Sequence, residues 1–194
     1  MISPDIKKNT MKAAQGKELG DIDAMLTVED NVAIPDLNDL TPKQRRNKMI
    51  IQTKAVALAC GDCRVLSGKT RKFQGPPSFP YIPGGDCSGI VWQIPPEASE
   101  DPDYPFKVGD RVAARFSEGP RGALAEYAVI DITVCLEFER THLTRTMTMA
   151  QDGTLKASMD SQGPFPFTTE GVRKAFRLQE TRHIKGKVVI TLND

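Results

Sequence analysis

The stretch that most limits what this chain can fold into is residues 76–91, PPSFPYIPGGDCSGIV. Pro76, Pro77, Pro80 and Pro83 each fix φ and remove an amide donor, so the segment crosses a surface in an extended path until Gly84-Gly85 lets it bend. Residues 49–58 ahead of it alternate and then turn continuously apolar, as a strand entering a core does. Behind it, Ile90-Val91-Trp92 resumes an apolar run that Gln93, Pro95 and Pro96 end. The local plan is strand, rigid corner, strand, and corners of this kind are where small β-barrels place binding clefts.

Other segments fit a chain of short strands. Met11 to Ala14 open a hairpin, Gly20-Asp21 turns it, and Met25, Leu26 and Val28 supply its second strand, with residues 33–37 closing it. Residues 38–48, with the basic run TPKQRRNK, read as a solvated loop, since one short run without interleaved aromatics offers too few phosphate contacts for nucleic acid. Residues 97–104 form an acidic loop; a turn at 107–110 feeds a strand at 111–114, and a second turn at 119–122 feeds another from Ala123. The cleanest period-2 signal runs from Ile130 to Phe138: Ile130, Ile132, Val134, Leu136 and Phe138 on one face, Asp131, Thr133, Cys135 and Glu137 on the other. Thr168 or Thr169 can cap a helix whose apolar stripe is Val172, Ala175, Phe176 and Gln179; Gly186 stands past its end, and residues 187–192 form a last strand.

Composition narrows the function classes. A chain of 194 residues has room for one well-formed core. With 26 basic and 25 acidic residues scattered along it, the chain has no electrostatic footprint for nucleic acid or an anionic membrane. No apolar run approaches the roughly 20 residues that cross a bilayer. The first ten residues lack an apolar h-region and carry Asp5, which leaves a cytoplasmic protein as the expectation. Four cysteines at irregular spacing do not read as a disulfide framework.

MKAA from Met11, VALACGD ending at Asp62, LSG from Leu66, PYIPGGDCSGIV, FKVGDRVAA from Phe106 and ALAEYAVI ending at Ile130 occur in an order and spacing that resemble the catalytic domain of the medium-chain dehydrogenase/reductase superfamily. Within it, the match is to the zinc-independent quinone oxidoreductase and enoyl reductase branch. The resemblance implies a mainly β protein with one or two helices, a GroES-like barrel and no complete Rossmann domain. The organisation expected is a tail at 1–10, the barrel at 11–130, a short junction at 131–150 in place of the nucleotide-binding domain, and at 151–194 a helix and closing strand packing back on the barrel. The junction has about twenty residues, whereas one βαβ unit needs about thirty. No G-x-G-x-x-G occurs anywhere in the chain.

The same resemblance assigns the site. Two positions that hold zinc ligands in metal-dependent relatives are here Ala59 and Gly85, which have no side-chain lone pair, so no metal is expected. Gly84-Gly85-Asp86 is similar to the Gly-x-Asp of zinc-free relatives, while Ala59-Cys60-Gly61-Asp62 keeps only the aspartate of their usual Asn-Pro-x-Asp. The substrate cleft is thereby assigned to Ala59, Cys60, Asp62, Tyr81, Gly85 and Asp86. Asp62 is the one catalytic candidate, though a carboxylate beside Gly61 also reads as a turn or capping group. Lys187 matches a basic position that can reach cofactor phosphates; alone it is a strand residue facing solvent. The implied cofactor is NADPH, with none held by the chain as it stands, and the implied ligand is a small quinone or enone. Loss of the nucleotide domain would uncover an apolar patch, met by a homodimer or a partner protein. Two readings stand beside the incapacitated oxidoreductase: a cofactor-free binding or assembly module, and a thiol redox or metal site at Cys60 and Cys63, the C-x-x-C of this chain.

Overall fold

The structure, a computed structural model, describes residues 9–74, 77–115, 122–137, 148–149 and 152–192. Its organising element is β3 (Lys48–Leu58). Met49, Ile50 and Ile51 are all fully buried in it, which requires cover on both faces of the sheet. One edge of β3 pairs antiparallel with β4 (Asp86–Gln93), from Ile50 opposite Gln93 to Ala57 opposite Asp86. The other edge is shared: β6 (Tyr127–Asp131) takes Lys48 to Gln52, and β9 (Val188–Thr191) takes Ala55 to Leu58. Outward from β4 lie β5 (Arg111–Arg115) and the short β7 (Cys135–Glu137); outward from β9 lies β8 (Phe165–Pro166), which runs parallel to it. A separate hairpin of β1 (Thr10–Gly16) and β2 (Leu26–Ala33) meets the rest through backbone bonds from Ala14 to Leu124 and from Gly16 to Tyr81.

The β-rich fold follows the expectation, with two differences of detail. Among the described residues the strands form a seven-stranded sheet and a two-stranded one, and hydrogen bonding does not close them into a barrel. Short helices are more numerous than one or two. Beside α5 (Thr169–Thr181), the chain forms α1 (Ile22–Met25), α2 (Pro42–Arg45), α3 (Cys60–Leu66) and α4 (Arg71–Gln74). The basic loop yields α2 because Thr41 and Gln44 cap it reciprocally around Pro42, and Arg45 then pairs with Glu97 of the acidic loop.

The period-2 run from Ile130 does not form one strand. Asp131 accepts hydrogen bonds from the backbone N–H and the hydroxyl of Thr133, at 3.0 and 2.7 Å, and pulls Ile132–Val134 into a 3₁₀ turn between β6 and β7. Alternation is lost there, and Cys135, assigned to the polar face, is buried. A local side-chain bond has outcompeted the ladder. Phe138, the turn at 119–121 and most of the junction at 131–150 lie outside the described residues. The boundary at residue 10 also moves, since Thr10 already belongs to β1.

Thr168 caps α5 by accepting from the Gly171 N–H at 3.1 Å, and Val172, Ala175, Phe176 and Gln179 form its buried stripe. Thr169, half-buried, accepts from the N–H of Val28 in β2. Arg177 binds Asp21 and Asp23, while Arg173 donates to the carbonyl of Leu26. The carboxy-terminal helix is thus clamped onto the opening hairpin. It ends at Thr181 with Arg182 in the left-handed region, so Gly186 is not its cap. Gly186, at φ 97°, instead lets the chain pass against the Ser158 backbone, where a Cβ would collide. No helix among the described residues is long and apolar enough to cross a membrane.

Candidate functional site

The proline-rich corner is held from below by Asp62. That residue lies in the first turn of α3, which starts as the chain leaves β3, and its carboxylate reaches in two directions. Oδ2 accepts from the N–H of Ala59 at 2.8 Å, satisfying an orphan donor of the helix it sits in. Oδ1 accepts from the N–H of Gly84 at 3.1 Å. Gly84 stands at φ 102° with Val56 and Leu124 pressed against the place of a Cβ, so both the dihedral and the space select glycine. The carboxylate is buried, and burial raises its pKa against the lowering effect of the amide bonds and with a smaller push from Asp86. Its hydrogen bonds all go to backbone amides, so the geometry is that of a structural clamp.

Tyr81 flanks this clamp on the opposite strand of the corner, its backbone paired with Gly16. Burial, then the charge of Asp62, pushes its phenol up to about 12. Ala59, Asp62, Tyr81 and Gly85 lie around one corner of the chain. Cys60 and Asp86 line two separate cavities. Asp86 opens β4 at the sheet margin, 3.2 Å from Lys187 and 3.6 Å from Arg115. It lines a shallow depression of about 380 Å³ floored by Ala55, Ala57, Ala113 and Ala114. Lys187 precedes β9 rather than belonging to it, and its ammonium is engaged with that carboxylate.

The C-x-x-C splits into two unlike thiols. Cys60 is exposed, whereas Cys63 is buried, donates toward the carbonyl of Phe176 at 3.7 Å, and is pushed up to about 12 by burial and then by Glu180. Cys60 faces α5 across a cavity of about 310 Å³ and receives the side-chain amide of Gln179 at 3.3 Å. Sequence reading missed this cavity because it joins residues 119 positions apart. The one signal was a glutamine on the apolar stripe of a helix.

A metal finds no seat here: among the described residues no three His, Cys, Asp or Glu side chains converge. A dinucleotide fits no better. Parallel pairing among the described residues is limited to the two-residue contact of β8 with β9 and the single bridge of Met159 with Lys187, no glycine-rich turn opens a helix after β8, and Lys187 is committed to Asp86. The described residues offer no cradle for a pyrophosphate.

Comparison with known proteins bears on the middle of the chain. Residues 45–140 match the alcohol dehydrogenase GroES-like domain. Over 110 residues the chain is 37% identical to a chloroplastic quinone-oxidoreductase homolog of Spinacia oleracea, covering 57% of this chain and 29% of that protein. The fold is similar to that of the human synaptic vesicle membrane protein VAT-1 homolog-like protein (TM-score 0.51, 21% identity, 78% of this chain and 46% of the other). It is also similar to the quinone oxidoreductase from Coxiella burnetii (TM-score 0.50, 20% identity, 77% and 47%). The chain spans about three-tenths of the curated relative and under half of each of these two structures.

Proposed function

Because this chain carries at residues 45–140 the GroES-like domain of the medium-chain dehydrogenase/reductase superfamily, in its quinone oxidoreductase-like form, we propose that it supplies the substrate-side wall of a zinc-independent, NADPH-type oxidoreductase site and does not transfer hydride by itself. The observation that carries this reading is the Asp62 clamp. The corner is built by a carboxylate accepting from the amides of Ala59 and Gly84, and the two positions where metal-dependent relatives place ligands have no side-chain donor atoms to offer. A quinone or enone resting there would meet a wall formed by Ala59, Tyr81 and Gly85. The hydride must come from a nicotinamide, and holding that group requires a nucleotide-binding unit that the residues described above do not provide. Whether the reduced acceptor is a quinone or an enoyl thioester depends on that same wall.

Titration of NADPH into the purified chain, followed by nicotinamide fluorescence, is expected to show no saturable binding. Micromolar binding would refute the statement that the chain works without its own cofactor seat. A second reading, a binding module that uses the sheet rather than the corner, draws on the small-residue depression beside Asp86, whose floor of four alanines leaves room for another chain to approach. Size-exclusion chromatography with light scattering separates the two: a concentration-dependent dimer abolished by Ala113→Arg favours the module, and a monomer favours the wall.

A further inference from the structure

The cavity between α3 and α5 belongs to neither reading. It is lined by Cys60 and Gln179 together with Arg64, Lys69, Glu180 and Arg182. Glu180, its acid, is held at 2.9 Å by Arg177, outside the cavity. The three cations take part in no ion pair among the described residues. An exposed thiol therefore shares its cavity with three cations that form no ion pair among the described residues and with one acid, Glu180, that is drawn to Arg177. Gln179 supplies a second, independent observation. It is 3% exposed, its Nε2 reaches Cys60 Sγ, and its Oε1 is buried with no hydrogen-bond partner among the described residues. A buried amide oxygen left unpaired is costly, and a terminal amide torsion is soft enough to turn that oxygen toward a donor seated over the thiol.

We propose that Cys60 is a site of mixed-disulfide formation with a small anionic peptide disulfide of the glutathione type, whose carboxylates are met by Arg64, Lys69 and Arg182 and whose peptide N–H is met by Gln179. The step is thiol–disulfide exchange. The Cys60 thiolate attacks one sulfur of the reagent, a new S–S bond forms to Cys60, the reagent's own S–S bond breaks, and the departing thiolate takes up the proton that Cys60 released. No further oxidant is needed, because the reagent disulfide is reduced as Cys60 is oxidised. Cys63 does not resolve the adduct. Its thiol is buried, bonded to the Phe176 carbonyl and held protonated through neutral pH, so the product is a persistent adduct rather than a Cys60–Cys63 bridge. At about 310 Å³ the cavity sits at the lower bound of small-molecule sites, roughly 300–1,000 Å³.

The test compares glutathione disulfide, neutral bis(2-hydroxyethyl) disulfide and cationic cystamine on the full chain, each normalised to a short free-thiol peptide, with intact mass and peptide mapping as readouts. Glutathione disulfide is expected to modify Cys60 fastest and cystamine slowest. The Arg64→Gln, Lys69→Gln, Arg182→Gln variant, whose changes are all on exposed side chains, is expected to lose about tenfold in the glutathione rate, the low end of what focused charge does to encounter rates. Its rate with the neutral reagent should not change. Equal normalised rates for the three reagents would overturn the proposal, as would a Cys60–Cys63 disulfide as main product or an adduct formed first on Cys63 or Cys87.

Discussion

Asp62 shows how one side chain can hold both ends of a corner. Replacing it with alanine strands the amides of Ala59 and Gly84 in a buried setting, and the expected loss is about 1–3 kcal/mol by urea unfolding, the cost of unpaired buried donors. The pH dependence of that loss has a definite sign. Burial raises the folded pKa above the unfolded value, so the folded chain binds the proton more tightly. The resulting contribution is fully present below the unfolded pKa, near 3.9, and is lost as pH rises through the folded value. The gap between wild type and Asp62→Ala should therefore narrow as pH rises from about 3.5; a gap that widens would reverse the electrostatic account. The sequence already named Asp62 as either a catalytic or a capping group, since a carboxylate beside Gly61 suits a turn or cap as well. What separates the two is where Gly84 lies, 22 positions away, and no local pattern carries that.

At the scale of elements, α5 is the part most nearly legible in advance. Its cap and its stripe follow from spacing alone, and Phe176, in the middle of the stripe, is fully buried in a helix that packs on β9, β8 and α3. Phe176→Ala should cost about 3–5 kcal/mol, measured by thermal or urea unfolding. A loss below about 1 kcal/mol would mean the helix is not docked as described. The run from Ile130 teaches the reverse lesson. Its alternation is regular, yet Asp131 offers Oδ1 to Thr133 and the strand ends after two residues of the pattern. Alternation records which side chains are apolar; it is blind to a competing hydrogen bond two residues away. Likewise, the opening hairpin was visible in its residues, whereas the clamp of Arg177 on Asp21 and Asp23 was not, since 154 or more positions separate the partners.

Over the whole molecule, protection against amide exchange should rank by the pairing of β3. Residues 50–52 and 55–57 of β3 are bonded to neighbours on both edges, so their amides are expected to exchange with the slowest class in the protein, and those of β7 and the β1–β2 hairpin sooner. Native-state exchange read by NMR or mass spectrometry checks this; faster exchange in β3 than in the hairpin would contradict the topology. The six sequence blocks located most of these strands, but not that two of them share one edge. That sharing reaches beyond the finished fold. During synthesis, the flank of β3 along residues 55–58 has no mate until residue 191 has cleared the ribosome. The nascent sheet must wait with an apolar seam open, a window in which a chaperone would find this chain.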